Sequence, residues 1–145
     1  MQLPRYLYRT NNNFLDYEFN SIGPKGSIKK VVRFTQIGVN IYNLGFGDLE
    51  EQTGEISDIS VTNNNDSRKV LATVASTVHD FTLEYPETWV VAKGSTVSRT
   101  RLYRMGITNH WEEIKKDFEV FGLKDAAWHP FELRRDYEAF LIRRR

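Results

Sequence analysis

The sequence predicts an α+β fold in which a mainly antiparallel sheet carries two principal helices on one side. Three observations lead to this prediction. The first half alternates β-branched or aromatic runs with short turns, a long amphipathic stretch begins near Val70, and short apolar runs return after that stretch. Helices that follow a series of strands in this order usually pack as a layer against one sheet.

Composition limits the classes of protein to which the chain can belong. With 145 residues, of which 40% are hydrophobic, it can bury one core, and we assign residues 1–145 to a single domain. It has no cysteine, which excludes disulfides and thiolate metal sites and makes a cytoplasmic location the default. No apolar stretch is long enough for a secretory leader or a membrane span, so no membrane association is expected.

The first strands are separated by residues that favour turns. Gly and Pro in SIGPKGS suit a tight reversal, and the acidic GDLEEQTG is expected to be a flexible loop. A further short strand or irregular edge follows that loop. The predicted order is strand Tyr17–Asn20, turn Ser21–Ser27, strand Ile28–Ile37, reversal Gly38–Asn40, strand Val39–Phe46, loop Gly47–Gly54 and strand or edge Glu55–Val61.

The first helix is predicted from its apolar spacing. Apolar residues recur on one helical face from Val70 to Tyr85, and Pro86 stops the helix. The tract Thr62–Ser67 precedes it, and the last two residues of this tract are good N-caps. The apolar run Thr88–Ala92 is then expected to be a buried strand.

A second helix is expected to open at Gly94, with Ser95, Thr96 or Ser98 as its cap. Its pattern changes phase near Gly106, which indicates either a kink or a new helix capped by Thr108 or Asn109. Its buried side is predicted to comprise Leu102, Met105, Ile107, Trp111 and Ile114.

Two strands are expected near the end of the chain. Phe118–Leu123 and Tyr137–Ile142 are apolar and are predicted to pair with each other. The segment between them, which contains Trp128, His129 and Pro130, is expected to be a loop.

The opening of the second helix is the candidate ligand-binding site. Unpaired backbone N–H groups and the helix dipole favour an anion at a helix N-terminus, and arginine forks suit phosphate or carboxylate oxygens. The alternative is an ordinary capped helix with a solvated basic face. The candidate residues are Lys93, Ser95, Thr96, Arg99, Arg101, Tyr103 and Arg104.

Other polar clusters give no definite site. Acidic residues follow the third strand, but they lack the EF-hand spacing of a calcium site and are expected to be solvated. Asp48 is the strongest candidate among them for a metal ligand or an acid–base group. The cluster comprises Asp48, Glu50, Glu51, Glu55 and Asp58. His79, His110 and His129 lack the spacing of a zinc site, and His79 is expected on the surface. We therefore predict no metal and no cofactor, and no catalytic residue is assigned.

Several motifs occurring together resemble a known family. They are YEFNSIGPKGSIKKVVRF, IYNLGFGD, VLATVASTVHDF and GSTVSRTRLYRMGI. The family consists of small single-domain bacterial proteins of unknown function, and the resemblance runs from Tyr17 to the tail. It implies no defined activity, cofactor or catalytic residue, and it associates the chain with toxin–antitoxin pairs or phage defence only by analogy.

Three functional hypotheses follow. The first is a non-catalytic binding or interaction module that recognises an anionic group, such as phosphate, a nucleotide or RNA, through Gly94–Arg104. The second is a small ribonuclease-type toxin or phage-defence component in which Tyr103 and nearby basic residues act on phosphodiesters. The third is a homodimeric structural or protein-interaction domain, so whether the protein is an enzyme stays open.

Overall fold

The computed structural model describes residues 4–57 and 63–145. In these ranges the strands are β1 (Arg9–Thr10), β2 (Asp16–Gly23), β3 (Gly26–Gly38), β4 (Ile41–Glu50), β5 (Glu55–Ile56), β6 (Trp89–Ala92), β7 (Phe118–Lys124), β8 (Ala127–Pro130) and β9 (Phe140–Arg144). The helices are α1 (Ser67–Glu84), α2 (Val97–Asn109) and α3 (Trp111–Asp117).

All the described strands belong to one sheet. Its order is β1-β2-β3-β4-β6-β9-β7-β8, and the short β5 pairs with β4 beside this path. Among the described pairs only β4 and β6 run parallel, and α1 forms the crossover between them. The predicted α+β class with a mainly antiparallel sheet is confirmed.

The strands of the first half are longer than predicted. Gly23 pairs with Gly26, so only Pro24 and Lys25 of the predicted turn lie outside the strands. The prediction of a flexible loop over Gly47–Gly54 is wrong at its start, because β4 pairs with β3 as far as Asp48 and continues to Glu50. Backbone pairing outweighs the low strand propensity of glycine and acidic residues here.

Part of the next predicted segment cannot be compared with the structure. The predicted strand or edge Glu55–Val61 is a two-residue strand at Glu55–Ile56, and Asp58 to Val61 lie outside the described residues. The same holds for Thr62, the first residue of the predicted capping tract.

Helix α1 confirms the strongest prediction from the sequence. It ends at Glu84, before Pro86, and the buried ring of Phe81 stacks on Phe34 of β3 with ring centroids 4.0 Å apart. Asp66 occupies the N-cap position, but its carboxylate accepts hydrogen bonds from the hydroxyls of Tyr6 and Ser21, at 2.6 and 2.5 Å. Asp66 therefore ties the start of α1 to the N-terminal segment and to β2.

The polar side of helix α1 that carries its threonines is buried as well as its apolar face. The hydroxyls of Thr73, Thr77 and Thr82 are satisfied by donating to carbonyls of the same helix at 2.7–2.8 Å. Residues 4–8, which we call the N-terminal strap, lie along it: Tyr6 N–H donates to Thr73 Oγ1 at 2.9 Å, and the Tyr8 hydroxyl donates to Asp80. Short side chains on α1 allow this close approach.

The buried face of α2 agrees with the prediction at Ile107, which is buried, but not at Met105, which is 44% exposed. Leu102 is half-buried, and the prediction omitted the buried Tyr103. The predicted phase change near Gly106 is confirmed as a break between two helices, with His110 rather than Thr108 or Asn109 at the N-cap position of α3.

The C-terminal strands pair as predicted, but the segment between them is ordered. Trp128, His129 and Pro130 belong to β8, which forms a hairpin with β7, so the loop prediction is wrong. Strand β9 begins at Phe140 instead of Tyr137. The ring of Tyr137 covers Gly122 of β7 so closely that a Cβ there would collide with it.

The junction of α2 and α3 buries a histidine. His110 is 6% exposed, and its Nδ1 has no hydrogen-bond partner among the described residues. Burial lowers the pKa of His110, opposed by Glu113 and assisted by Arg68. The folded state therefore holds this imidazole neutral more strongly than the unfolded chain does.

We expect His110→Gln to make the protein less sensitive to acid. The pKa of His110 in the folded protein lies below its unfolded value of about 6.5, so the unfolded chain binds this proton more tightly. The full stability is therefore present above about pH 6.5, and part of it is lost as the pH falls below that value. Urea unfolding at neutral and mildly acidic pH measures this loss. His129→Gln, which removes an exposed histidine, is the control, and an equal acid-induced loss in His110→Gln and the parent protein would contradict the expectation.

Candidate functional site

The N-cap of α2 is one of the three predicted candidates, and the helix begins at Val97 instead of Gly94. Thr96 is the N-cap, and its Oγ1 accepts a hydrogen bond from the backbone N–H of Arg99 at 3.2 Å. Lys93, Ser95, Thr96 and Arg101 are all exposed. This part of the sequence therefore forms a basic, hydroxyl-bearing surface.

The turn before α2 packs tightly on the first turn of the helix. The N–H of Gly94 donates to Thr100 Oγ1 at 3.1 Å. A Cβ on Gly94 would collide with Arg99 Cβ and with the backbone nitrogen of Thr100. This close approach explains why the position is a glycine.

Two of the candidate arginines are engaged within the protein. Arg99 donates to Ser95 Oγ at 3.0 Å and to the carbonyl of Ser57 at 3.1 Å. Arg104 forms an ion pair with Asp136. By contrast, no carboxylate of the described residues lies within 4.0 Å of Lys93 or Arg101.

Tyr103 is separated from this surface and faces the interior. It is only 8% exposed and lines a cavity of ≈ 480 Å³ between the helices and the sheet. The candidate residues therefore divide: four lie exposed at the amino end of α2, Arg99 and Arg104 are half-buried in protein contacts, and Tyr103 belongs to the cavity.

The inner part of the cavity is apolar. Neighbouring strands of the sheet form its floor, and the helices form its walls. A cavity of roughly 300–1,000 Å³ with mainly apolar lining and few polar groups is typical of a small-molecule site. The buried aliphatic lining comprises Leu44, Ala92, Val120 and Ile142 on the sheet and Leu71, Val74, Val78 and Ile107 on the helices.

Small residues account for the volume of the cavity. Ala75, Ala92 and Gly106 line it on three different elements. A Cβ on Gly106 would lie 3.5 Å from Leu71, which is an ordinary contact, so close packing does not require a glycine there. The space therefore results from the absence of larger side chains at facing positions.

The Tyr103 hydroxyl is one of the polar groups of this inner part, together with the buried Ser76. The Tyr103 hydroxyl has no hydrogen-bond partner among residues 4–57 and 63–145, and its oxygen is open to the cavity instead of being enclosed by protein atoms. Burial raises the pKa of Tyr103 to about 12, with the nearby Arg99 acting in the opposite direction. The phenol is therefore neutral at physiological pH and can donate a hydrogen bond to a molecule in the cavity.

Polar and charged side chains surround the exposed part of the cavity, which we call the rim. Its members are Arg5, Tyr8, His79, Asp80, Glu113, Lys116 and Asp117. The expectation that His79 is a surface residue is wrong: it is half-buried, and Arg144 contacts its ring and its carbonyl. Sequence periodicity offered one signal, since His79 lies four residues after Ala75 on the same side of α1.

The other polar clusters form no metal centre in the described part of the chain. No group of three His, Cys, Asp or Glu residues there could hold a metal ion. Asp48, the strongest acidic candidate, lies 2.6 Å from the ammonium group of the buried Lys30. This carboxylate is engaged in a largely desolvated ion pair.

A comparison with known protein families covers nearly the whole chain. Residues 2–145 match the model of a family of unknown function, DUF6934. The chain belongs to the DUF6934 family. No curated protein and no solved structure is significantly similar to it.

The DUF6934 family is one of unknown function, so membership assigns no activity to the chain. Of the helices that the structure describes, none has the length and apolar character needed to cross a membrane.

We expect Tyr103→Phe to leave the free energy of unfolding nearly unchanged, because the hydroxyl has no described protein partner and opens onto the cavity. Tyr8→Phe is the matched variant. It removes a hydroxyl bonded to Asp80 and should lower the free energy by about 1 kcal/mol. Urea unfolding measures both. A clear loss of stability in Tyr103→Phe would show that its hydroxyl has a partner in the protein.

Proposed function

We propose that this DUF6934 protein is a binding module that holds a small, mainly apolar molecule in the cavity between its helices and its sheet. The observation that carries the proposal is the Tyr103 hydroxyl, which is neutral, has no described protein partner and opens onto a mainly apolar cavity of ≈ 480 Å³. A ligand with a hydrogen-bond acceptor would bond this hydroxyl while its apolar body fills the cavity.

The proposal involves binding and assigns no catalytic step. The ribonuclease alternative requires Tyr103 and the arginines to meet a phosphodiester on the surface. Tyr103 is buried, and Arg104 is paired with Asp136, so the positions of these side chains favour binding in the cavity over that alternative.

Naphthalene is a suitable first probe because it is apolar, rigid and fluorescent. We expect it to bind the protein and to raise the thermal unfolding midpoint, since a ligand that binds only the folded state stabilises it. Ala75→Phe should weaken this binding by about ten-fold or more, because the new ring occupies the cavity.

Ala127→Phe is the control for this experiment. It makes the same change on the exposed strand β8, outside the cavity lining, and should bind naphthalene as the parent protein does. Thermal unfolding of both variants verifies that they are folded. Equal naphthalene affinity in the two variants, or no binding to the parent protein, would refute the cavity as a ligand site.

An anionic ligand at the amino end of α2 is a second, separate proposal. It is supported by Lys93 and Arg101, which are exposed beside Ser95 and Thr96 and have no carboxylate within 4.0 Å among the described residues. Arg99 and Arg104 contribute less, because the protein already uses their guanidinium groups.

A labelled single-stranded RNA tests this second proposal. If the surface binds phosphate, affinity should fall with added salt, and Arg101→Glu should weaken binding and reduce the salt dependence by about one released ion. Lys124→Glu is the control, because it reverses an exposed charge at the end of β7. RNA binding that is absent, or that is weakened equally by both substitutions, would remove the amino end of α2 as the site.

A further inference from the structure

A histidine on the cavity rim is held by an arginine from the last strand. Arg144 of β9 donates from Nη2 to the His79 carbonyl at 2.8 Å and from Nε to Thr82 Oγ1 at 3.1 Å. The same Nη2 lies 3.1 Å from His79 Nδ1. These contacts join α1 to β9 and fix the orientation of the imidazole.

The contact with Arg144 determines which ring nitrogen of His79 carries the proton. A guanidinium group can only donate, so Nδ1 must be the acceptor and the neutral ring is protonated at Nε2. Nε2 has no hydrogen-bond acceptor in residues 4–57 and 63–145. Since His79 lines the cavity, the rim carries an N–H donor that is available to a ligand.

The charge behind His79 favours an anion. Arg144 is half-buried, and within the described ranges no carboxylate lies within 4.0 Å of it. Its guanidinium carbon is 5.0 Å from the centre of the Phe118 ring, and Phe118 lines the cavity. A cation next to Nδ1 polarises the imidazole and strengthens the Nε2–H donor.

The remaining rim charges do not reverse this preference. Lys116 and Arg5 are exposed on the rim and have no ion pair among the described residues. Glu113 and Asp117 are exposed, so water screens their charge. Asp80 already accepts the hydrogen bond of Tyr8. Arg144 and Asp80 are both half-buried, and it is Arg144 whose guanidinium group lies against the His79 ring, directly behind the donor.

We infer that the ligand is an amphipathic organic anion whose apolar body fills the inner cavity and whose carboxylate accepts a hydrogen bond from His79 Nε2 at the rim. This inference depends on the proposed function, because it specifies the head group of a molecule bound in that cavity. A hydrogen bond to a charged acceptor contributes about 1.5–3 kcal/mol, enough to separate a carboxylate from its uncharged analogue.

Naphthoate and naphthalene test the inference as a matched pair, since they share an apolar body and differ in the head group. Titration of the parent protein, followed by fluorescence or calorimetry, should show naphthoate binding about ten-fold or more tightly than naphthalene. His79→Phe should reduce naphthoate affinity by about the same factor and leave naphthalene affinity unchanged. His79→Gln, which keeps an N–H donor, should restore part of the naphthoate affinity.

His129→Phe is the control, because His129 lies on the exposed strand β8. Equal affinity of the parent protein for naphthoate and naphthalene would overturn the inference while leaving the cavity as a ligand site. An equal loss of both affinities in His79→Phe would also overturn it, since His79 would then only shape the cavity. Failure of both compounds to bind would instead refute the proposed function itself.

Discussion

The burial of α1 from several directions is the constraint on which the structure depends. Its apolar face packs on the sheet through the Phe81–Phe34 stack, and the N-terminal strap is hydrogen-bonded to it at Thr73 and Asp80. Helices α2 and α3 complete its surroundings on the side that faces the cavity. A helix in this position needs small side chains and internally satisfied hydroxyls, which its alanines and its threonines provide.

The same constraint produces the cavity. Short side chains let neighbouring elements approach α1 closely. Where no larger side chain from those elements fills the remaining space, as at Ala75 and Gly106, a cavity is left. An apolar cavity costs stability, because the atoms lining it lose contacts with one another. This loss of stability is understandable if the cavity binds a ligand beside the phenol of Tyr103. The cavity is therefore a stronger candidate for a ligand site than the surface at the start of α2.

Local pattern was sufficient to predict much of the fold. The apolar spacing of α1, the Thr96 cap and the pairing of β7 with β9 all rest on short-range chemistry, and the structure confirms them. Errors arose where tertiary contacts outweighed propensity, as in the extension of β4 through Asp48 and the ordering of β8. The candidate site was harder to predict. His79 and Arg144 are 65 positions apart in the chain, and the cavity is defined by residues from seven helices and strands and from the N-terminal strap, so no window of sequence contains it.

The parallel pairing of β4 with β6 also has a consequence for how the chain folds. The β2–β3–β4 meander closes short turns between sequence neighbours, whereas Leu44 meets Ala92 only after the whole crossover through α1 has been ordered. Loop closure costs more entropy as the loop grows, and contacts between distant residues slow the search for the native topology. We therefore expect the seam between these two strands to be among the last parts of the molecule to assemble, with the hairpins forming first and the cavity completed at the end.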